Sequence, residues 1–414
     1  MTGARDDTAP PARVLSRRRL LLGGAAAGLG AATALGAERA VAAIVDAGAT
    51  TGPAPEQLHG AETIPFHGAH QAGVTTAPQA HARFIALTLR DDVDRSALAR
   101  LMRLLSDDAS RLTAGTAALA DSEPELAALP SRLTVTFGFG PRLVRIAAGE
   151  SAVPSWLGPL PAFGIDRLEE RWSDGDLLLQ IGADDGVTVS HAARMLLKDA
   201  RSFATVRWVQ DGFRRSRGSE RSGTTMRNLF GQIDGTVNLR EGSADVDRLV
   251  WSGEGWLAGG TGMVVRRIAM NLDTWDRLDR GGREQSVGRT LDTGAPLTGT
   301  REHDEPDFAA TSAAGFPVIP EFSHMRRARS DDPDERILRR GYNYEQAPSG
   351  DEVSDAGLLF VSYQADVSAQ FVPIQRRLDE LDLLNEWTTP IGSAVFAVPP
   401  GCAEGGFVGE GILS

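Results

Sequence analysis

The chain has 414 residues, a formal net charge of −12, one cysteine and one lysine. A charge that negative repels nucleic acid and anionic lipid, so neither is an expected partner. Cys402 alone excludes intrachain disulfides and thiolate metal clusters, and Lys198, in an amphipathic stretch with no motif around it, reads as a surface charge.

The first forty residues have an address-like pattern. Arg5, Arg13, Arg17, Arg18 and Arg19 make a basic start, residues 20–37 carry no charge and are rich in Gly and Ala, and Ala40-Val41-Ala42 offers a small-x-small cleavage site. This predicts a twin-arginine signal peptide over residues 1–42, with a periplasmic or extracellular destination and no stable membrane anchor. Six arginines and three acids lie in that segment, so the remainder is more acidic still. Residues 43–60 are rich in Ala, Gly, Thr and Pro and read as a linker.

Beyond it, residues 83–89 alternate and predict a strand, and residues 96–120 have helical spacing with Ser96 as the cap. Strands are expected at 133–139, 176–181 and 203–208, with a helix at 188–200 between the last two. That order is the order of a ferredoxin-like sandwich. The second half repeats it less clearly. Strands are expected at 263–270 and 357–363, and helices at 274–288 and 371–381, with a long polar connector at 292–335. The fold class is therefore α+β, with one half over 61–240 and another over 241–414.

Several chemistries fail at once. There is no His-Glu-x-x-His, no Gly-x-Ser-x-Gly and no Walker lysine. Gly253-Glu254-Gly255-Trp256-Leu257-Ala258 fits a dinucleotide pattern but precedes a strand instead of opening a helix, so the required context is missing. His59, His67, His70 and His81 complete no coordination set by spacing. Three residues remain. Asp234 stands between glycines in Phe230-Gly231-Gln232-Ile233-Asp234-Gly235-Thr236, where a turn carboxylate and a pocket carboxylate are both open readings. His324 lies inside the polar connector. Arg339 ends the apolar run Ile337-Leu338, and a buried arginine usually needs an anion to justify its desolvation.

Taken together these segments resemble the dye-decolorising peroxidase family. Asp234 matches its Gly-x-x-Asp-Gly motif, His324 its haem-binding histidine and Arg339 its distal arginine. Phe66-His67-Gly68-Ala69-His70-Gln71-Ala72-Gly73 looks like the opening motif of the exported, deferrochelatase-like branch. Phe137-Gly138-Phe139-Gly140-Pro141, Arg227-Asn228-Leu229-Phe230-Gly231, Gly288-Arg289 and Ile337-Leu338-Arg339-Arg340-Gly341-Tyr342 follow in family order. Gly259-Gly260-Thr261-Gly262 departs from the family's Gly-Gly-Ser-Tyr, so a tyrosine is missing there.

The resemblance implies two ferredoxin-like halves packed as one dimeric-α/β-barrel-type unit with haem b between them. It implies His324 as the proximal iron ligand, with Asp334 or Asp366 as the acid that accepts from its other nitrogen. Asp234 would move the proton between the oxygens of hydrogen peroxide, and Arg339 would stabilise the charge on the departing oxygen. Arg289 would pair with a haem propionate and Phe360 would line the distal pocket. An organic electron donor would supply electrons, through surface Trp or Tyr where it is too large for the pocket. Two other functions stay open: deferrochelatase-like release of iron from haem for an iron-uptake system, and haem binding without turnover. A homo-oligomer is compatible with each of them.

Overall fold

Strand β1 (His81–Leu89) places Ala82, Phe84 and Ala86 on one face and Ile85, Leu87 and Leu89 on the other. Successive side chains of a strand point to opposite faces. Both faces are buried here, so β1 must separate two cores. The computed structural model describes residues 58–414. The predicted signal peptide, and the predicted linker up to residue 57, lie outside them.

The first half follows the expected order. Helix α1 (Arg95–Thr113) is capped by Asp94, whose carboxylate accepts the Ala97 N–H at 2.7 Å. The expected cap, Ser96, lies within the helix and instead accepts from Arg100 at 2.9 Å. The helix stops short of residue 120, just before Gly115 turns the chain with φ +76°. Strand β2 (Thr134–Phe139), helix α2 (Pro141–Ala148), strand β3 (Leu177–Ala183), helix α3 (Gly186–Ala200) and strand β4 (Ala204–Phe213) follow. The strands pair in the order β2-β3-β1-β4, all antiparallel, and α1 packs on α3.

The second half uses the same plan with more interruptions. Helix α4 (Ala244–Leu249) leads to strand β5 (Thr261–Met270). The helix expected over 274–288 is two short ones, α5 (Leu272–Trp275) and α6 (Arg280–Val287). Asp279 separates them by capping the second, accepting the Gly282 N–H at 2.7 Å. Then come helix α7 (His324–Ala328), strand β6 (Leu338–Arg339), strand β7 (Tyr342–Gln346), strand β8 (Asp355–Gln364), a π-helical turn (Val367–Phe371), helix α8 (Val372–Leu381) and strand β9 (Thr388–Val398). The order is β9-β5-β8-β7, and β6 shares the same edge of β8 as β7.

The two sheets join at both edges. Phe139 of β2 pairs with Ala397 of β9, and Phe213 of β4 pairs with Asn343 of β7. Eight strands thereby close into a barrel, which removes the exposed edges that would otherwise recruit another chain. Phe84, Trp208, Met263, Tyr342, Tyr363 and Phe396 fill the interior. A second core lies between the outer faces of the strands and the helices, with Leu98, Met102, Leu179 and Leu196 among its members. Among the described residues no helix is long and apolar enough to cross a membrane.

One buried acid pair in this outer layer sets a pH dependence. Asp199 on α3 faces Asp108 on α1, and Asp108 is 1% exposed. Burial first, then the Asp108 charge, pushes the Asp199 carboxyl from 3.8 up to about 8. The folded protein thus holds a proton that the unfolded chain releases. This group's stabilisation is complete below pH 3.8 and is lost progressively as the pH rises toward 8. Thermal unfolding of the wild type should fall more steeply than that of Asp199→Asn between pH 5 and about 8. Parallel slopes would show that Asp199 ionises normally in the fold.

Candidate active site

The loop carrying Asp234 is a small hairpin organised by one asparagine. Asn228 Oδ1 accepts the N–H groups of Phe230 and Gln232 at 3.1 and 3.2 Å, and Arg227 bridges Ile233 across the turn. Gly231 and Gly235 have φ of +79° and +132°, a region that side chains disfavour, so the chain can turn sharply on both sides of Asp234. Arg227 straps the hairpin down, donating to the carbonyls of Gly231, Leu291 and Asp292. Asp234 is thereby aimed, and not merely a turn former.

Arg339 meets it there. Its Nη1 donates to Asp234 Oδ1 at 2.9 Å, and the two side chains are 25% and 19% exposed. Asp234 Oδ2 keeps a longer contact of 3.4 Å to Asn228 Nδ2. The Arg339 backbone is held from the same loop region: its N–H donates to Asn238 Oδ1 at 2.7 Å, and its carbonyl accepts from Asn238 Nδ2 at 2.8 Å.

His324 is the first residue of α7. Its Nδ1 lies 2.6 Å from Asp382 Oδ2, and Asp382 is itself fixed by accepting the Leu384 N–H at 3.0 Å through Oδ1. Burial pulls the His324 proton affinity down, but the Asp382 carboxylate outweighs it and the net direction is upward. The charges of Asp234 and Arg339 also reach His324, one raising and one lowering that affinity. His324 Nε2 has no partner among the described residues and is not sealed in; a third of the side chain is open.

This corrects one expectation. Neither Asp334 nor Asp366 holds His324. Asp334 pairs with Arg248 on the surface, and Asp366 caps the π-helical turn by accepting the Ala369 N–H at 2.9 Å. Asp382 holds the histidine because α7 packs along α8, whose C-terminal end delivers residue 382. Its one sequence signal is an Asp directly after a helix and before Leu383-Leu384, an N-cap pattern.

Arg289 is buried, and its Nη1 donates to the carbonyls of Gly294 and Glu302 at 2.7 and 2.9 Å. Burial lowers its pKa; the Glu302 carboxylate opposes that, and the Arg339 charge adds to it. Phe360, on β8, lies 5.9 Å from Phe371 between ring centroids and lines a cavity of about 910 Å³ together with Asp234, Asn238 and Arg339. The missing tyrosine has a local explanation. A Cβ at Gly262 would lie 2.9 Å from the Gln364 carbonyl and 3.1 Å from the Trp156 ring, so Trp156 already fills that space.

The sequence profile of the N-terminal Dyp-type peroxidase domain matches residues 71–214, and that of the C-terminal domain matches residues 225–403. The chain belongs to the Dyp-type peroxidase family. It is 37% identical to a dye-decolorizing peroxidase of Thermobifida fusca (strain YX), over 94% of this chain and 96% of that one. It is 35% identical to a deferrochelatase of Yersinia pseudotuberculosis, over 94% and 92%. Among solved structures, a DyP-type peroxidase from Cellulomonas bogoriensis superposes with a TM-score of 0.84 at 56% identity, covering 86% of this chain and all of that one. Ferric DtpA from Streptomyces lividans gives 0.82 at 43%, covering 86% and 98%. The chain is a Dyp-type peroxidase, and haem b is its cofactor.

The residues present suit that cofactor. A histidine with one nitrogen tied to a carboxylate and the other open is the donor set an iron porphyrin needs. A buried guanidinium with nitrogens to spare suits a propionate. Asp382→Ala should weaken haem retention about 10- to 100-fold, because an outer partner fixes ligand orientation and basicity. Haem titration of the purified protein reads this directly, and unchanged affinity would remove Asp382 from the site.

Proposed function

We propose that this peroxidase works with Asp234 and Arg339 on the peroxide side and His324 as the protein ligand to iron. The observation that supports it most is the 2.9 Å bond from Arg339 to Asp234 in the wall of the cavity. When bound, haem supplies a redox-active iron with an open coordination position. Splitting hydrogen peroxide also needs a proton moved from one oxygen to the other. Asp234 suits that task as base and then acid, because Arg339 cannot give up its proton. Its Oδ1 is occupied by Arg339, so Oδ2, with only a 3.4 Å contact, is the oxygen that takes and returns the proton. Arg339 stays charged and stabilises negative charge on the departing oxygen.

The other side chains position. Asp382 accepts the His324 Nδ1 proton, which leaves Nε2 as the metal-binding nitrogen. Arg289, with Nη1 committed to two carbonyls, offers its other nitrogens to a propionate. Phe360 closes the cavity wall with an apolar surface. Removing either member of the peroxide pair, by Asp234→Asn or Arg339→Leu, should lower peroxide-dependent dye oxidation about 10²- to 10⁴-fold with haem still bound. Full turnover in both variants would sink this assignment.

A second activity is supported by the deferrochelatase relatives at 34–35% identity. Release of iron from haem, in the service of an iron-uptake system, would leave free protoporphyrin. Incubation of haem with the protein, under reducing and oxidising conditions, tests it by porphyrin fluorescence. The basic start, weakly apolar stretch and Ala40-Val41-Ala42 support export by the twin-arginine route. Arg17→Lys with Arg18→Lys should strand active haem protein in the cytoplasm. Secretion of that variant at the wild-type level would exclude this route.

A further inference from the structure

One end of the barrel holds a buried arginine that no carboxylate answers. Arg267 follows Val265 on the inward face of β5, and Tyr344 follows Tyr342 on the inward face of β7. Trp172 packs against the same interior from the segment before β3. Arg267 is 5% exposed. Its guanidinium carbon lies over two rings at once, 4.4 Å from the centre of Trp172 and 4.2 Å from that of Tyr344. The rings fit this closely because the backbone beside them is glycine. A Cβ at Gly357 would lie 2.5 Å from the Tyr344 ring, and one at Gly392 would lie 2.7 Å from Trp172 Cβ.

Stacking covers the faces of a guanidinium but uses none of its hydrogens, which lie in its plane. Arg267 Nε donates to Gln210 Oε1 at 2.7 Å, and the two terminal nitrogens have no partner among the described residues. Two further donors beside them are unused as well. Trp172 Nε1 and the Tyr344 hydroxyl are both buried without a hydrogen-bond partner among the described residues. Burial pushes the Tyr344 hydroxyl up to about 12, so it keeps its hydrogen at physiological pH. Of the carboxylates whose charge reaches Arg267, Glu169 is paired with Arg171 at 2.6 Å, and Asp355 forms no ion pair among the described residues. A buried charge and a buried donor are each costly while unanswered. An indole N–H and a guanidinium can only donate, so their partner has to accept several hydrogens at once. A water molecule would bring hydrogens of its own that also need acceptors. A monovalent anion brings none, and it carries the charge that Arg267 lacks.

We propose that Arg267, Trp172 and Tyr344 form a binding site for one small monovalent anion, of the size of chloride, at this end of the barrel. The anion sits on the terminal nitrogens of Arg267 and accepts hydrogen bonds from the indole and the phenol. Burial sets the size limit, because donors this deep are out of reach of a larger organic anion. The site is separate from the cavity beside Asp234. Asn343 lines that cavity, whereas Tyr342 and Tyr344 on either side of it in the strand point the other way. The segment that carries Trp172 is held along β9, where the Arg167 and Glu169 N–H groups donate to the Pro390 and Ile391 carbonyls at 2.9 and 2.8 Å. Asp379 of α8 pins its start by accepting the Gly164 and Ile165 N–H groups at 3.0 and 2.9 Å. A bound anion therefore ties this covering segment to the barrel wall, and its effect is on the stability of the folded state.

The test uses the haem-loaded protein and follows thermal unfolding as chloride replaces gluconate at constant ionic strength. An anion that binds only the folded state stabilises it by mass action, so the unfolding temperature should rise with chloride. Trp172→Phe and Tyr344→Phe each keep a ring against Arg267 and remove one donor. Each should weaken the apparent chloride affinity about tenfold. Arg267→Met should abolish the chloride response, and the two Phe variants decide the matter if Arg267→Met does not fold. Crystals grown in bromide should show its anomalous signal among the three side chains. An unfolding temperature that is equal in chloride and gluconate overturns the proposal. So does a chloride response of the same size in the wild type and both Phe variants. Bromide found at the site of a protein whose stability ignores chloride also overturns it, as an adventitious ion only.

Discussion

A single side-chain amide holds the centre of this molecule together. Asn238 grips both backbone groups of Arg339, at 2.7 and 2.8 Å, on the side of the peptide that faces away from β8. It acts as one rung of a strand that is not there. Without it, a two-residue strand would have only its ladder with β8 to set its position. With it, the Arg339 guanidinium is delivered to Asp234 from a fixed backbone, and Asp234 is delivered by a hairpin whose turn is held by Asn228. Two asparagines thus do the positioning for two charged groups, and each does so with neutral hydrogen bonds that survive changes of pH and salt.

Barrel closure explains where the site can be. The interior is filled by aromatic and aliphatic side chains. The cavity lies on the outer face, where the loop after β4 crosses β6, β7 and β8. The long connector returns His324 to that face on a five-residue helix, which would be marginal alone. Its stability comes from α8: Arg327 donates to the Arg377 carbonyl at 3.0 Å and pairs with Glu380. The same helix ends in Asp382, so one packing contact both places the histidine and supplies its acid.

What the sequence made legible follows local physics. Strands with clean apolar runs, such as β3 and β8, stood out, as did the helix α3. Strand β9 was hidden because Pro390 and Gly392 argue against a strand; the structure places Pro390 at a register shift opposite Arg267 and Ile268, where a missing N–H matters less. Asp234, His324 and Arg339 were singled out through motif resemblance, and the fold pairs Asp234 with Arg339. Asp382 was not, because its partner is 58 residues away and only the packing of two helices joins them.

Strand β6 carries a further consequence. Arg339 and its neighbour Arg340 leave the chain on opposite faces: the first reaches Asp234 outside the barrel, and the second reaches Gln79 and the Thr76 carbonyl inside it. Successive residues of a strand always part in this way, and a slip of one position exchanges their faces. The segment from Ile337 to Tyr342 therefore tolerates no change in length. The connector before it has room to grow or shrink, because its length decides only how the chain arrives. A one-residue insertion at Gly341 and one at residue 312 are equally small edits on paper, yet only the first would trade a reactive guanidinium for a structural one.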